Sequence, residues 1–190
     1  MPHKFPFSRK DKLDSDSRRK TLPAHETLQK LGLKEGDRLL DIGCGSGYFS
    51  ISAAEIVGES GSVTGFDLQP EFVEYAQKRT DAGFANLDFR VCEESRLPQA
   101  DASSDAVLIA LVLHETESQQ DFLSEVKRVL VPSGRLLIVE WLANATGNGP
   151  PLEDRIKAEE LQTILAANGF TGGESISLGK THYGMIATVR

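Results

Sequence analysis

Apolar positions along the chain fall into short continuous runs that alternate with helically spaced stretches. "RLLDI" (38–42) reads as a strand, and 46–57 carries apolar residues at helical spacing. A second strand is expected over 61–68, then a helix over 70–80 with Pro70 in its first turn. "NLDFRVC" (86–92) is a third strand. The long apolar run over 104–113 is a fourth, of the kind buried on both faces of a parallel sheet. An amphipathic helix follows over 118–130, then a fifth strand over 134–142 and a helix over 151–170 stopped by Gly169. The tail offers two strand segments, 174–179 and 182–190, with only a short turn between them. Alternating strand and helix predicts an α/β doubly wound parallel sheet with right-handed crossovers, and the closing pair adds an antiparallel edge. The Gly/Pro-rich stretch 144–151 reads as a loop within one domain.

Composition narrows the class. At 190 residues, with 39% hydrophobic and 26% charged residues, the chain has the size and balance of one globular domain. No run approaches the roughly 20 apolar residues of a membrane span, and the N-terminus lacks an apolar signal core, so a cytoplasmic location is expected. Two cysteines, Cys44 and Cys92, make neither a disulfide framework nor a zinc site, and no metal is expected. The net charge of -7 is uneven: residues 1–20 hold seven basic and three acidic side chains. An acidic body argues against nucleic acid as the main partner. The basic segment, residues 1–24, is either a solvated tail or a lid over residues 25–190; Leu22, Leu28, Leu31 and Leu33 favour some packing.

Candidate chemistry concentrates after the first strand. "LLDIGCGSGYFS" spaces its glycines as Gly43-x-Gly45-x-Gly47. A turn there lies at the carboxyl edge of the sheet, where open α/β folds bind ligands, and bare backbone permits tight turning and close approach. A hydride-transfer dinucleotide fold would put its third glycine where Tyr48 stands, and a phosphate-binding loop would need Lys after Gly47. Asp67 ends the second strand, 24 residues after Gly43, where a carboxylate can accept both hydroxyls of a ribose. Glu93, at the end of the third strand, could accept from an adenine amino group. His114 and Glu115, just after the fourth strand, are placed for general-base chemistry, although His114 could equally bond loop backbone. Glu140 and Trp141 are candidates to line an acceptor pocket, as are His182 and Tyr183.

Taken together and in order, "LLDIGCGSGYFS", "GFDL", "CEESRLP" and "ALVLHE" resemble class I S-adenosylmethionine-dependent methyltransferases, in the small single-domain branch related to ubiquinone/menaquinone-biosynthesis methyltransferases. The resemblance covers about residues 25–190. It implies a Rossmann-like, seven-stranded, mostly parallel sheet in the order 3-2-1-4-5-7-6, strand 7 antiparallel, with helices on both faces. It implies S-adenosyl-L-methionine as cofactor and a small-molecule methyl acceptor. By that likeness Asp41, Gly43, Cys44, Gly45 and Gly47 pass the methionine portion. Asp67 would hold the ribose and Leu68 the adenine face, with Glu93 and the Glu94 backbone at the adenine edge. Ala110 and Leu111 would lie near the cofactor's amino group. The alternative is a catalytically silent domain that binds the cofactor or S-adenosylhomocysteine as a sensor or scaffold.

Overall fold

The computed structural model describes residues 4–80, 83–143 and 149–190. Seven strands form one sheet: β1 (Arg38–Ile42), β2 (Ser62–Asp67), β3 (Leu87–Val91), β4 (Ser104–Ala110), β5 (Leu130–Trp141), β6 (Phe170–Leu178) and β7 (His182–Val189). Their order is β3-β2-β1-β4-β5-β7-β6. The first five pair in parallel, and β7 runs antiparallel to both β5 and β6, as the resemblance implies. The helices are α1 (Asp16–Thr21), α2 (Ala24–Lys30), α3 (Tyr48–Val57), α4 (Pro70–Thr80), α5 (Gln119–Val129) and α6 (Ala158–Ala167). No helix among the described residues is long and apolar enough to cross a membrane.

Strand alternation divides the core into two layers. Leu39, Ala106, Leu108, Leu137 and Val139 pack against α2 and α3 through Leu28, Leu31, Phe49, Ala53 and Val57. Leu40, Ile42, Val107, Ile109, Leu136 and Ile138 face α5 and α6 through Phe122, Leu123, Val126, Leu161 and Leu165. Each of the Val, Leu, Ile and Phe side chains among them, fully buried, contributes about 1.5–3 kcal/mol relative to exposure. That double coverage is why β4 reads as one unbroken apolar run.

Several boundaries differ from the sequence reading. The helix expected over 46–57 is α3 and begins only at Tyr48, because Gly47 caps it in left-handed backbone (φ +75°). The fourth strand stops at Ala110 although its apolar run continues. Leu111 turns to φ +63°, and Leu113–Glu115 coil into a 3-10 turn. The helix expected over 151–170 is shorter. Leu152–Asp154 form one 3-10 turn, and α6 starts only at Ala158. Arg155 holds the segment between them by donating from Nε to the Pro150 carbonyl (3.2 Å) and from Nη1 to the Leu142 carbonyl (2.9 Å). Of the loop expected over 144–151, residues 144–148 lie outside the described residues.

The basic N-terminal segment is folded onto the body. Phe7–Asp14 form a 3-10 stretch and α1 follows, capped by Ser15 Oγ accepting from the Arg18 N–H (3.3 Å). Phe7 packs edge-on against Phe72 of α4, with ring centroids 5.1 Å apart.

Candidate active site

The glycine loop connects β1 to α3 at the carboxyl edge of the sheet. The Phe66 carbonyl of β2 accepts from both Gly43 N–H (2.7 Å) and Cys44 N–H (2.9 Å). Gly43 has φ +73°, and a Cβ there would overlap the side chain of Val112. Gly45 has φ +52°, and a Cβ would stand 2.9 Å from Leu13 Cδ1 of the folded N-terminal segment. Left-handed backbone and close neighbours both demand glycine at these positions.

Asp67 ties this loop to the next one. Its Oδ2 accepts from Gly45 N–H (2.9 Å) and its Oδ1 from Gln69 N–H (2.9 Å). Burial raises its pKa, and the backbone donors of Gln69, Gly45 and Leu68 oppose the rise. Asp41, buried beneath the loop, accepts from Ser50 Oγ at 2.5 Å. Burial lifts its pKa to about 6, with Asp67 adding repulsion, while Ser50 and Arg18 pull the other way. Burial also pushes the Cys44 thiol well up and Cys92 to about 12, so both remain protonated and unreactive near neutrality.

Beyond β4 the backbone is strained. Leu111 holds a left-handed conformation that L-residues with bulky side chains avoid. The 3-10 turn that follows lays His114 over Glu140 of the neighbouring β5. His114 Nδ1 lies 2.9 Å from Glu140 Oε2 and 3.1 Å from Oε1. The carboxylate, wholly buried, also accepts from the backbone N–H of His114 (3.3 Å) and Trp141 (3.2 Å). An ionised carboxylate only accepts, so it selects the tautomer with hydrogen on Nδ1 and leaves the Nε2 lone pair free. Burial works to lower the His114 pKa. The Glu140 hydrogen bond and the charges of Glu140 and Glu115 overcome it, and the net shift is upward. Glu115 Oε1 is 3.8 Å from His114 Nε2, while Glu115 Oε2 accepts from Phe5 N–H (3.1 Å).

These groups surround one cavity of about 640 Å³, within the usual size range of a small-molecule site. Asp41, Gly43, Cys44, Gly45, Asp67 and Leu68 line it, as do Glu94, Ala110, Leu111, His114 and Glu115. Gly47 and Glu93 lie outside its lining. Gly47 sits against Phe89 and Ala76, and Glu93 bridges to Arg96. Cys92 and Glu94 occupy the wall where Glu93 was expected. Trp141 and His182 also line it, with ring centroids 4.2 Å apart, whereas Glu140 lies beneath His114 and Tyr183 donates to the Ile156 carbonyl in the core.

The N-terminal segment, for which the sequence left open a solvated tail or a lid, contributes to this cavity. Phe5, Leu13 and Arg18 all line it. Three lining residues carry buried polar atoms without a hydrogen-bond partner: Arg18 Nε, Ser46 Oγ and His182 Nε2. Buried polar groups are nearly always satisfied, so such a concentration in one cavity marks a place for a polar ligand.

A family described as a methyltransferase domain matches residues 33–169. The chain belongs to that family. A crystal structure of an S-adenosylmethionine-dependent methyltransferase from Aquifex aeolicus superposes with a TM-score of 0.94 at 34% identity, covering 98% of this chain and 100% of that one. The ubiquinone/menaquinone biosynthesis C-methyltransferase UbiE of Azotobacter vinelandii is 34% identical over 117 residues, 60% of this chain and 46% of that protein. The demethylmenaquinone methyltransferase of Bacillus velezensis is 30% identical over 116 residues, 60% of this chain and 50% of its own length. The chain therefore spans about half the length of these curated relatives.

S-adenosylmethionine is the cofactor of this methyltransferase, and the cavity suits it. Asp67 offers carboxylate oxygens beside the bare Gly45 backbone. The unpartnered Arg18 Nε and Ser46 Oγ match a ligand with several polar groups.

Proposed function

We propose that this methyltransferase transfers the methyl group of S-adenosylmethionine to a ring carbon of a small quinol-type acceptor, with His114 as general base. The observation that carries the reading is the His114–Glu140 pair opening onto the cavity lined by the glycine loop. The names of the curated relatives support a ring-carbon acceptor, and Phe122, Trp141, Pro150 and Pro151 give the cavity an apolar region suited to a flat ring.

S-adenosylmethionine supplies a methyl group already activated on a sulfonium. The work left to the protein is positioning and proton management. Asp67 would hold the ribose through oxygens oriented by Gly45 and Gln69, and Leu68, Cys92 and Glu94 would flank the adenine. Ala110 and Leu111 would border the amino-acid end. His114 Nε2 takes the hydroxyl proton of the acceptor, which loads electron density onto the neighbouring ring carbon. After methylation that carbon loses its own hydrogen as a proton and the hydroxyl is restored, so one proton is released per turnover. Glu140 holds the imidazole ring in place and stabilises its protonated form.

The test is turnover with S-adenosylmethionine and a panel of reduced naphthoquinols, benzoquinols and catechols, read by S-adenosylhomocysteine release and product mass. A carbon-methylated product is expected, with His114→Gln slowing turnover by about 100-fold or more. Products methylated only on oxygen, or an unaffected His114→Gln enzyme, overturn the assignment. Cofactor binding with no turnover across the panel supports the silent domain instead.

A further inference from the structure

The folded N-terminal segment places in the cavity a cation, Arg18, one of whose donors has no acceptor. Arg18 lies over the rings of Tyr48 and Phe49, with its guanidinium carbon 5.1 and 5.7 Å from their centroids. Its Nε is closed off from solvent and has no hydrogen-bond partner. The nearby acids are already engaged: Asp14 by Arg79 and Arg19, and Asp41 by Ser50. His182 adds no further positive charge, since burial and the charges of Arg18 and Arg155 keep its imidazole neutral. A buried N–H without an acceptor is costly, and the planar fork of guanidinium donors is matched best by a carboxylate.

The remaining lining supports one orientation. Arg18 shares the cavity with Asp41, Gly43 and the unpartnered Ser46 Oγ, which belong to β1 and the loop after it, whereas Asp67 and Leu68 belong to the end of β2 and the loop after that. A ligand with a nucleoside at Asp67 therefore projects its other end toward Arg18. That end of the cofactor is a free amino acid, with one carboxylate and one ammonium. Arg18 and Asp41, oppositely charged and close enough to influence each other's ionisation, match that zwitterion.

We propose that Arg18 is the receptor for the cofactor's α-carboxylate, so that closure of the N-terminal segment reads the amino-acid end of the ligand. This inference rests on the cavity's being the cofactor site. It makes α1 a selective latch. Nucleosides that lack the amino acid, such as 5′-methylthioadenosine, fill the Asp67 end without holding the segment down.

Calorimetry on the full chain tests it with two ligands, S-adenosylhomocysteine and 5′-methylthioadenosine. Arg18→Met should weaken S-adenosylhomocysteine by about 10- to 100-fold, the range for a lost hydrogen bond to a charged group. It should change 5′-methylthioadenosine by less than about threefold, and Arg18→Lys should fall between Arg18→Met and wild type for S-adenosylhomocysteine. Hydrogen exchange on the wild-type chain gives a second readout that needs no variant. Amides of residues 5–21 should slow with S-adenosylhomocysteine and stay unchanged with 5′-methylthioadenosine. Equal losses for both ligands in Arg18→Met, no loss for either, or equal slowing of exchange by both overturns the inference while leaving the cofactor site in place. A wild-type chain that binds neither nucleoside removes the cofactor reading and this inference with it.

Discussion

At the scale of single residues, the site is held together by carboxylates that bond backbone. Asp67 is the clearest case: each oxygen accepts one main-chain N–H, one from each of the two loops that frame the cavity. These bonds leave lone pairs for a ligand and fix where they point. Asp67→Ala should weaken cofactor binding by about 1.5–3 kcal/mol, the range for a hydrogen bond to a charged group. Asp67→Asn, which keeps the shape and one acceptor, should lose less. Calorimetry giving the same affinity for Asp67→Ala and wild type would sink the ribose assignment. Asp67 was legible in the sequence because it ends a strand at a fixed distance from a glycine turn. Glu140 was legible only as a cavity wall. Its partner His114 is 26 residues away, and their pairing depends on where β4 stops, which periodicity does not reveal. Arg18 was invisible for a related reason. Its meaning comes from what surrounds it in space, and its immediate sequence neighbours are ordinary charged residues.

At the scale of elements, the N-terminal segment changes the picture most. It docks through Phe7 on Phe72, through Leu13 over Gly45, and through Phe5, which donates from its N–H to Glu115 and accepts from Gln69 Nε2 (2.9 Å). Lys4 reaches Glu94 (2.8 Å), but exposed pairs of this sort contribute little. Further along the chain the segment becomes part of the core. The Leu22 carbonyl accepts from Tyr48 Oη (2.8 Å), and Leu22, Leu28 and Leu31 are fully buried. The boundary between the docked segment and the core thus lies near α1. We expect removal of residues 1–15 to lower the melting temperature of the unliganded protein by only a few degrees, on the order of 1 kcal/mol for a domain of this size. The same deletion should speed cofactor release markedly, as loss of a closing element does. Stopped-flow displacement showing an unchanged release rate would return the segment to the role of a passive tail. The sequence could show that this segment has leucines and phenylalanines to bury, but their partners lie in α3 and α4. The overextended β4 and α6 have the same origin. A continuous apolar or acidic run carries no sign of the left-handed turn at Leu111 or of the side-chain bonds by which Arg155 keeps its segment from coiling.

At the scale of the whole molecule, the sheet order puts the cavity where β1 and β4 diverge, and the cost of keeping polar groups buried there should be visible in stability. Two of those groups oppose one another with pH. Burial lifts the Asp41 pKa from 3.8 to about 6, so the unfolded chain ionises first, and this residue makes the fold less stable as pH rises between those values. Burial, with the charges of Arg18 and Arg155, lowers the His182 pKa from 6.5 to about 4. The unfolded chain therefore takes up a proton first, and this residue makes the fold less stable as pH falls across that window. Each shift corresponds to about 3 kcal/mol at its full extent. Between pH 4 and 6 the two contributions have opposite slopes and largely offset each other in the wild-type protein. Single substitutions should separate them. Relative to wild type at the same pH, Asp41→Asn should gain stability as pH rises from 4 to 6. His182→Gln should gain stability as pH falls from 6.5 to 4, since glutamine takes up no proton. Urea unfolding at several pH values measures both differences and cancels every group the variants share with wild type. Differences that do not change with pH would mean that neither side chain is held against its preferred charge. Asp41→Asn should also bind the cofactor less tightly even where it is the more stable protein. That result would identify the buried carboxylate as a group kept for the ligand at the expense of the empty fold.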